Sequence, residues 1–314
     1  MILSRSRDDP GSGVLEIAVA LAGGSVKVLD TRAGETRLGL AYGGSVPAFL
    51  EANPGIIDYL ELPFEQLLHT PALAALQDTI PFVLHCASLS VAGFVAPSDT
   101  TVSAIAREAA RMQTPWIGEH LAFVSADGLT EPAPEAGAAS AAPTALTYTV
   151  CPQLSEETVA RVADNLAALA PRMPVPLILE NSPQYFPVPG STMGMVDFIA
   201  AVAARADAGL LLDLTHFLIT SINTGVDPMT ELDRMPLERV VEIHVSGLSQ
   251  QSGIAWDDHA APAPGQVFEL LARALTRARP RAVTLEYNWS PQFPQAILRS
   301  HVQRTRDLLA RAAA

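Results

Sequence analysis

The chain has 314 residues, 49% of them apolar and 17% charged, which excludes a disordered chain and leaves material for a large buried core. Its 33 acidic and 20 basic residues give a net charge of −13, a balance that repels a phosphate backbone and argues against nucleic acid as a partner. Two cysteines, Cys86 and Cys151, make no CxxC pair, and no apolar stretch is long enough to span a bilayer, so a cytoplasmic protein with no membrane partner is expected.

Arg5 and Arg7 before an apolar run faintly resemble a signal peptide, but Asp8, Asp9 and Glu16 break that pattern. Residues 1–34 hold two alternating runs around Ala-Gly-Gly and read as an N-terminal extension forming a β-hairpin. From residue 35 to 314 short apolar runs alternate with amphipathic stretches. The runs are RLGLAY (37–42), IIDYLEL (56–62), PFVLHC (81–86), PWIGEHLAFV (115–124), VPLILEN (175–181), GLLLDLTHF (209–217), RVVEIHVSG (239–247) and RAVTLEYN (281–288). Such near-continuous aliphatic runs suit strands covered on both faces. Between them lie helical stretches, with Ser98, Asp99 and Ser155 as cap candidates and GQVFELLARALTRA before the last strand. Eight strands, seven helical connections and a closing helix near 295–312 predict an α/β fold, a single (β/α)8 barrel. A doubly wound sheet would want a glycine-rich phosphate fingerprint after its first strand, and AYGGS does not match it. Residues 125–147 are small and proline-rich, and are expected to form a long mobile loop at the barrel mouth.

In such a barrel, chemistry gathers where the strands end. Those ends carry His85, His120, Glu180, Asp213 with His216, Glu242 with His244, and Glu286; Asp257 and His259 follow in the next loop. Strand alternation turns His85, His120, Glu180, Asp213 and Glu286 to the barrel axis, turns Glu119 outward, and puts His216 where the strand already bends into its loop. Taken singly, each of these residues reads as a hydrogen-bonded core histidine or a loop anchor, and Cys86 as a buried side chain. With Glu242 set aside as a neighbour of a ligand, four carboxylates and five imidazoles in one mouth are different, because they repel one another unless protonated or bound to cations. Nitrogen and carboxylate oxygen without cysteine suit iron, zinc or manganese.

The ordered series LH (84–85), EHLAF (119–123), LILENSPQY (177–185), LLLDLTHFLITSINTGVDP (210–228), VVEIHVSG (240–247), DDHAAP (257–262) and TLEYN (284–288) resembles the multinuclear non-haem iron-dependent oxidative enzymes, barrel proteins of the xylose-isomerase-like superfamily that modify ribosomally made peptides. The resemblance implies two to three iron ions and dioxygen as cofactors, a precursor peptide as substrate, often modified at cysteine, and a partner protein that holds the peptide. It implies metal ligation by His85, His120, Glu180, Asp213, His216, His244, Asp257, His259 and Glu286, with Glu180, Asp213 and His244 at the reacting centre and Glu180 bridging two ions. Asn181, Glu242 and Asn288 are expected to orient the ligands. The chain departs from the commoner pattern at Glu119, where the family has aspartate; at Thr215 and His216, in place of two asparagines; and at Leu248, in place of histidine.

The same nine positions also resemble the trinuclear zinc pattern of apurinic endonucleases, which implies phosphodiester hydrolysis, although such enzymes want a basic track. A metal-dependent sugar isomerase would want a catalytic lysine, and the sole lysine, Lys27, precedes the barrel. A catalytically dead peptide-binding scaffold would not need nine intact ligands. Phe94, Phe123, Tyr185, Phe186, Trp256 and Trp289 are candidates to line the mouth.

Overall fold

The computed structural model describes residues 26–31, 34–67, 70–126, 144–287 and 294–314. Its strands, in chain order, are β1 (Arg37–Ala41), β2 (Tyr59–Pro63), β3 (Phe82–Cys86), β4 (Ile117–His120), β5 (Phe123–Ala126), β6 (Thr144–Val150), β7 (Leu177–Glu180), β8 (Gly209–Asp213), β9 (Val240–Ser246), β10 (Ser249–Gln251), β11 (Ile254–Trp256) and β12 (Ala282–Glu286). Eight of them close a parallel barrel in the order β1-β12-β9-β8-β7-β4-β3-β2. Each of the eight apolar runs supplies one barrel strand, as the (β/α)8 reading predicts.

The helices are α1 (Val46–Ala52), α2 (Phe64–Leu67), α3 (Asp99–Met112), α4 (Glu156–Leu169), α5 (Met195–Ala206), α6 (Leu214–Thr224), α7 (Pro228–Arg234), α8 (Gly265–Ala274) and α9 (Gln295–Ala313). Ser98 and Ser155 cap α3 and α4 by accepting from the Thr101 and Thr158 amides, satisfying donors that the first turn leaves free. One apolar layer lies between the strands and this helical ring, from Leu38 and Leu40 on β1 to Val302 on α9. A second, smaller cluster fills the barrel: Leu29, Tyr59, Val83, Trp116, Ile178, Leu211 and Ala282. Burying each such side chain contributes about 1.5–3 kcal/mol. The inner cluster also settles the strand parity: Val83, Ile178 and Leu211 point inward, and His85, Glu180 and Asp213, two positions on, share that face.

Three expectations need correction or restriction. The run 115–124 is not one strand: β4 stops at His120, the Ala122 amide folds back onto the His120 carbonyl, and β5 sets off in a separate sheet. The ends of the supposed loop 125–147 are likewise strand, because β5 and β6 pair antiparallel, the TALTYTV run supplying the alternating β-formers; residues 127–143 lie outside the described residues. Of the hairpin over 1–34, residues 1–25 and 32–33 also lie outside. The described stretch 26–31 is not a strand: Lys27 bonds the Gln77 and Thr79 carbonyls, and Leu29 closes the lower end of the barrel interior. Among the described residues no helix is long and apolar enough to cross a membrane.

Candidate metal centre

Strand register brings the polar ends level with one another. His120 on β4 lies beside Glu180 on β7, and Asp213 on β8 lies beside His244 on β9. Their side chains meet around Glu180, which is fully buried. Glu180 Oε2 lies 3.0 Å from His85 Nε2 and 3.2 Å from His120 Nε2, while Oε1 lies 3.4 Å from His216 Nδ1 and 3.6 Å from His244 Nδ1. Gly118 makes room for this packing, since a Cβ there would sit 2.5 Å from His85 Nδ1.

Donor atoms close enough to share one ion form three groups at the mouth: His85, His120 and Glu180; Glu180, Asp213, His244 and Glu286; and Asp213, His216 and His259. Asp257 joins the third, with its carboxylate 2.9 Å from His216 Nε2 and 2.6 Å from His259 Nε2. All nine ligand candidates therefore converge, and Glu180 and Asp213 are each shared between two groups. His216 sits in the first turn of α6 rather than in a loop, because the helix begins directly after β8. Asp213 makes that possible: its Oδ1 caps α6 by accepting from the Thr215 and His216 amides, both at 2.6 Å, and its Oδ2 is left without a hydrogen-bond partner.

The surrounding groups orient these ligands. Asn181 clamps the Asp213 backbone, bonding its carbonyl and amide at 2.9 Å each. The Asn181 carbonyl lies 3.0 Å from His216 Nδ1, and the Cys86 carbonyl 3.2 Å from His120 Nδ1, so His120 turns Nε2 to Glu180 and His216 turns Nε2 to Asp257, while His216 Nδ1 also passes 3.4 Å from Glu180 Oε1. Glu242 does not take the place expected for it beside His244. It lies 3.7 Å from His244 Nε2 and accepts instead from Tyr59, Thr284 and Trp116, one level deeper in the barrel. The carboxylate in contact with the Nε2 side of His244 is Glu61 on β2, at 3.0 Å. Glu61 stands in the quoted run IIDYLEL; a lone carboxylate in an apolar strand was the signal available for it. Asn288 and Trp289 lie outside the described residues. Glu119 faces outward as expected, accepting from the Cys86 thiol and the Leu89 amide.

The electrostatics are those of crowded opposite charges. Burial disfavours the charged form of His85, but the Glu61 and Glu180 carboxylates outweigh it and hold its pKa up at about 10. Burial likewise opposes charge on His259, and Glu286 with Asp257 raise it to about 9. Burial opposes ionisation of Glu180 as well, yet His120 and His85 pull its pKa well down. Asp257 and Glu286 are depressed too, against the burial effect, by His216 and His259 for the first and chiefly His259 for the second. Burial dominates for Glu119, raised to about 8, and for Glu61, raised to about 7 against the pull of His244.

Cations fit this arrangement on its own evidence. Both Glu180 oxygens, Asp213 Oδ2 and His85 Nδ1 are buried without a well-directed hydrogen bond, which is costly unless another partner satisfies them. The donors are nitrogen and oxygen only, a set suited to iron, zinc or manganese, and the Cys86 thiol points away to Glu119. His259 holds φ +53°, a left-handed backbone that histidine adopts more readily than most side chains. Its loop is seated on Gly247, where any Cβ would overlap the Ala261 carbonyl. Gly247→Ala is expected to cost about 1–3 kcal/mol and to displace the Asp257–His259 loop, so that metal analysis finds one ion fewer per chain than in the parent. Unchanged stoichiometry would refute that coupling.

Beside the third group opens a polar cavity of about 340 Å3, walled by Tyr42, Gly43, Gly44, Gln66, Asp257 and Glu286 among others. Tyr185 stacks on Trp256, the residue before Asp257, at 4.6 Å, and Phe94, Phe186 and Tyr148 are exposed.

Solved structures of similar fold include a D-tagatose 3-epimerase-like protein (TM-score 0.55, 13% identity, 89% of this chain and 100% of that one). Another is a xylose isomerase domain containing protein from Salmonella typhimurium (0.54, 13%, 89% and 99%). At such identities they speak for the fold alone. Curated relatives include several named as UPF0276 proteins. That of Streptomyces avermitilis is 31% identical over 261 residues, 82% of this chain, and the chain spans about half, 51%, of that longer protein. That of Pseudomonas aeruginosa is 28% identical over 271 residues, covering 84% of this chain and 89% of its own length. A family model described as RiPP precursor modification enzyme MbnB/TglH/ChrH matches residues 38–310, the whole barrel with all nine ligand candidates. The chain is a member of the MbnB/TglH/ChrH family of enzymes that modify the precursors of ribosomally made peptides.

Proposed function

We propose that this protein is a multinuclear, iron- and dioxygen-dependent oxidative enzyme that modifies a residue of a ribosomally made precursor peptide, with cysteine the candidate residue. The observation that carries this reading is the sharing of Glu180 and Asp213 among three donor groups built only from nitrogen and oxygen. Iron bound there, with dioxygen, would supply the oxidising power. His85 and His120 would hold one ion with Glu180, and Asp213, His244 and Glu286 a second with the same carboxylate. His216, Asp257 and His259 are the set for a third.

The protein's own contribution is to neutralise, orient and enclose. Carboxylates compensate the cationic charge, the Asn181 and Cys86 carbonyls fix two imidazole rings, and the cavity beside Asp257, His259 and Glu286 admits a side chain of an extended peptide. The Tyr185–Trp256 stack would form one wall of that approach. A partner protein that presents the peptide belongs to the same proposal, as does action in the cytoplasm, where Cys86 and Cys151 stay free thiols.

The test is elemental analysis and EPR on protein purified at low oxygen without added metal, followed by incubation with oxygen and a Cys-containing precursor peptide sought among the genes beside its own. Two or more irons per chain, a mixed-valent signal and an oxygen-dependent mass change in the peptide are expected. Stoichiometric zinc, no uptake of supplied iron, and hydrolysis of a phosphodiester would overturn the proposal.

A further inference from the structure

Among the described residues, Glu61 and Glu242 are inward carboxylates of the barrel outside the nine ligand candidates, and Glu61 is the one without a role so far. Glu61 is 1% exposed and lies on β2, whose alternation turns Tyr59 and Glu61 to the interior. Its Oε2 lies 3.0 Å from His244 Nε2, while the other ring nitrogen, Nδ1, lies 3.1 Å from Glu286 Oε2 and 3.6 Å from Glu180 Oε1. The ring thus spans two sets of carboxylates, one at the mouth and one beneath it.

A neutral imidazole that offers a lone pair on one nitrogen carries its proton on the other, and that N–H needs an acceptor. Glu242 cannot serve. It is 3.7 Å away, and its oxygens already accept from Tyr59 Oη at 3.0 Å, Thr284 Oγ1 at 2.6 Å and Trp116 Nε1 at 2.7 Å. Those donors also argue against an ion held by Glu61, Glu242 and His244, although their donor atoms are near enough to share one. The Trp116 N–H and at least one of the Tyr59 and Thr284 hydroxyls, which lie 2.6 Å from one another, already donate to Glu242, and an ion on Nε2 would compete with the Glu180–Asp213–Glu286 group for the same ring.

We infer that Glu61 is a positioning residue for the metal centre: it holds the Nε2–H of His244, so that Nδ1 presents its lone pair to the group formed by Glu180, Asp213 and Glu286. The inference rests on His244 being a metal ligand, as proposed above. His120 and His216 are oriented by neutral backbone carbonyls, whereas His244 is oriented by a carboxylate. A carboxylate acceptor makes the imidazole a stronger electron donor and is worth roughly 10–100-fold in metal affinity.

Zinc serves as a redox-silent probe in the full chain, stripped and reloaded. Long-range 1H–15N correlation spectra report which nitrogen of His244 carries hydrogen, and chelator competition reports affinity. In the parent, Nε2–H with Nδ1 at a metal-bound shift is expected. Glu61→Leu, similar in volume but lacking an acceptor, is expected to bind one zinc about 10–100-fold more weakly and to lose that tautomer. Glu61→Gln keeps an acceptor oxygen and is expected to keep the tautomer with a smaller loss. Metal on Nε2 in the parent would overturn the inference, as would Glu61→Leu binding every zinc within twofold of the parent with His244 signals unchanged. If circular dichroism shows that the leucine variant does not fold, the parent spectrum and the glutamine variant still decide. Absence of any zinc or iron binding by the parent would overturn the metal-centre reading itself, a result distinct from binding through the wrong nitrogen.

Discussion

Glu180→Gln is expected to remove at least one bound ion per chain and to lower peptide oxidation by more than about 1,000-fold, with the barrel still folded. The reason is position. Glu180 is the carboxylate that approaches four imidazoles at once, with Oε2 between His85 and His120 and Oε1 toward His216 and His244. Glutamine keeps the shape but loses the charge that compensates two cations, and puts an N–H2 donor where a ligand oxygen belongs. The barrel ladders on either side of Glu180 run through backbone groups, so they do not depend on its carboxylate. Metal content and turnover measured on the same preparation check the result. Full occupancy with intact activity would remove Glu180 from its bridging role, and loss of the circular dichroism spectrum would show it to be structural.

The second large effect is a pH dependence that metal reverses. In the metal-free chain the pKa of His85 is held up at about 10 and that of His259 at about 9, so at pH 7 both rings are protonated. A histidine whose folded pKa is raised contributes stability below its unfolded value of about 6.5 and loses it as pH climbs through the folded value. Glu61 and Glu119, raised by burial to about 7 and about 8, act in the same sense, because the folded chain holds protons that the unfolded chain has released. Asp257 and Glu286 have depressed pKa values, and their contribution is lost as pH falls below about 4.

Metal-free protein is therefore expected to be most stable near pH 5–6 and to lose more than about 5 °C in Tm between pH 6 and pH 9. Bound ions replace those protons. Apparent zinc affinity is expected to rise with pH across the same window, and calorimetry in buffers of different ionisation enthalpy should register proton release. Saturating zinc is expected to raise Tm at pH 8 by roughly 8 °C per ion at a thousandfold excess over Kd. A flat Tm profile for the stripped protein, or proton-independent binding, would show that the cluster does not store protons in this way.

What the sequence carried most clearly was the barrel and the ligand candidates at its strand ends. Eight runs of aliphatic residues with period-two placement of His85, Glu180, Asp213 and Glu286 suffice, because alternation along a strand is a local property. Capping was local too, and Ser98 and Ser155 act where they were expected. The resemblance of the ordered motifs to a known family agreed with the family match over residues 38–310.

Only the closed barrel decided the rest. Glu61 in YLELP and Glu119 in WIGEH are each a single carboxylate in an apolar strand, and both are buried. One points to the axis under His244 and the other outward to the Cys86 thiol. Alternation back from His120 already turned Glu119 outward, whereas β2 offers no strand-end histidine to set its parity, so the face of Glu61 was decided by pairing with its neighbours. Glu242 likewise shares its strand face with His244, yet strand rise sets it a level lower, where Tyr59, Thr284 and Trp116 take up its oxygens. Which ligands share an ion is a matter of stagger between strands far apart in the chain. The sequence by itself determined the fold class and the nine residues that meet; the tertiary structure determined how they group and which carboxylate holds His244, because those depend on distances between strands that no local pattern encodes.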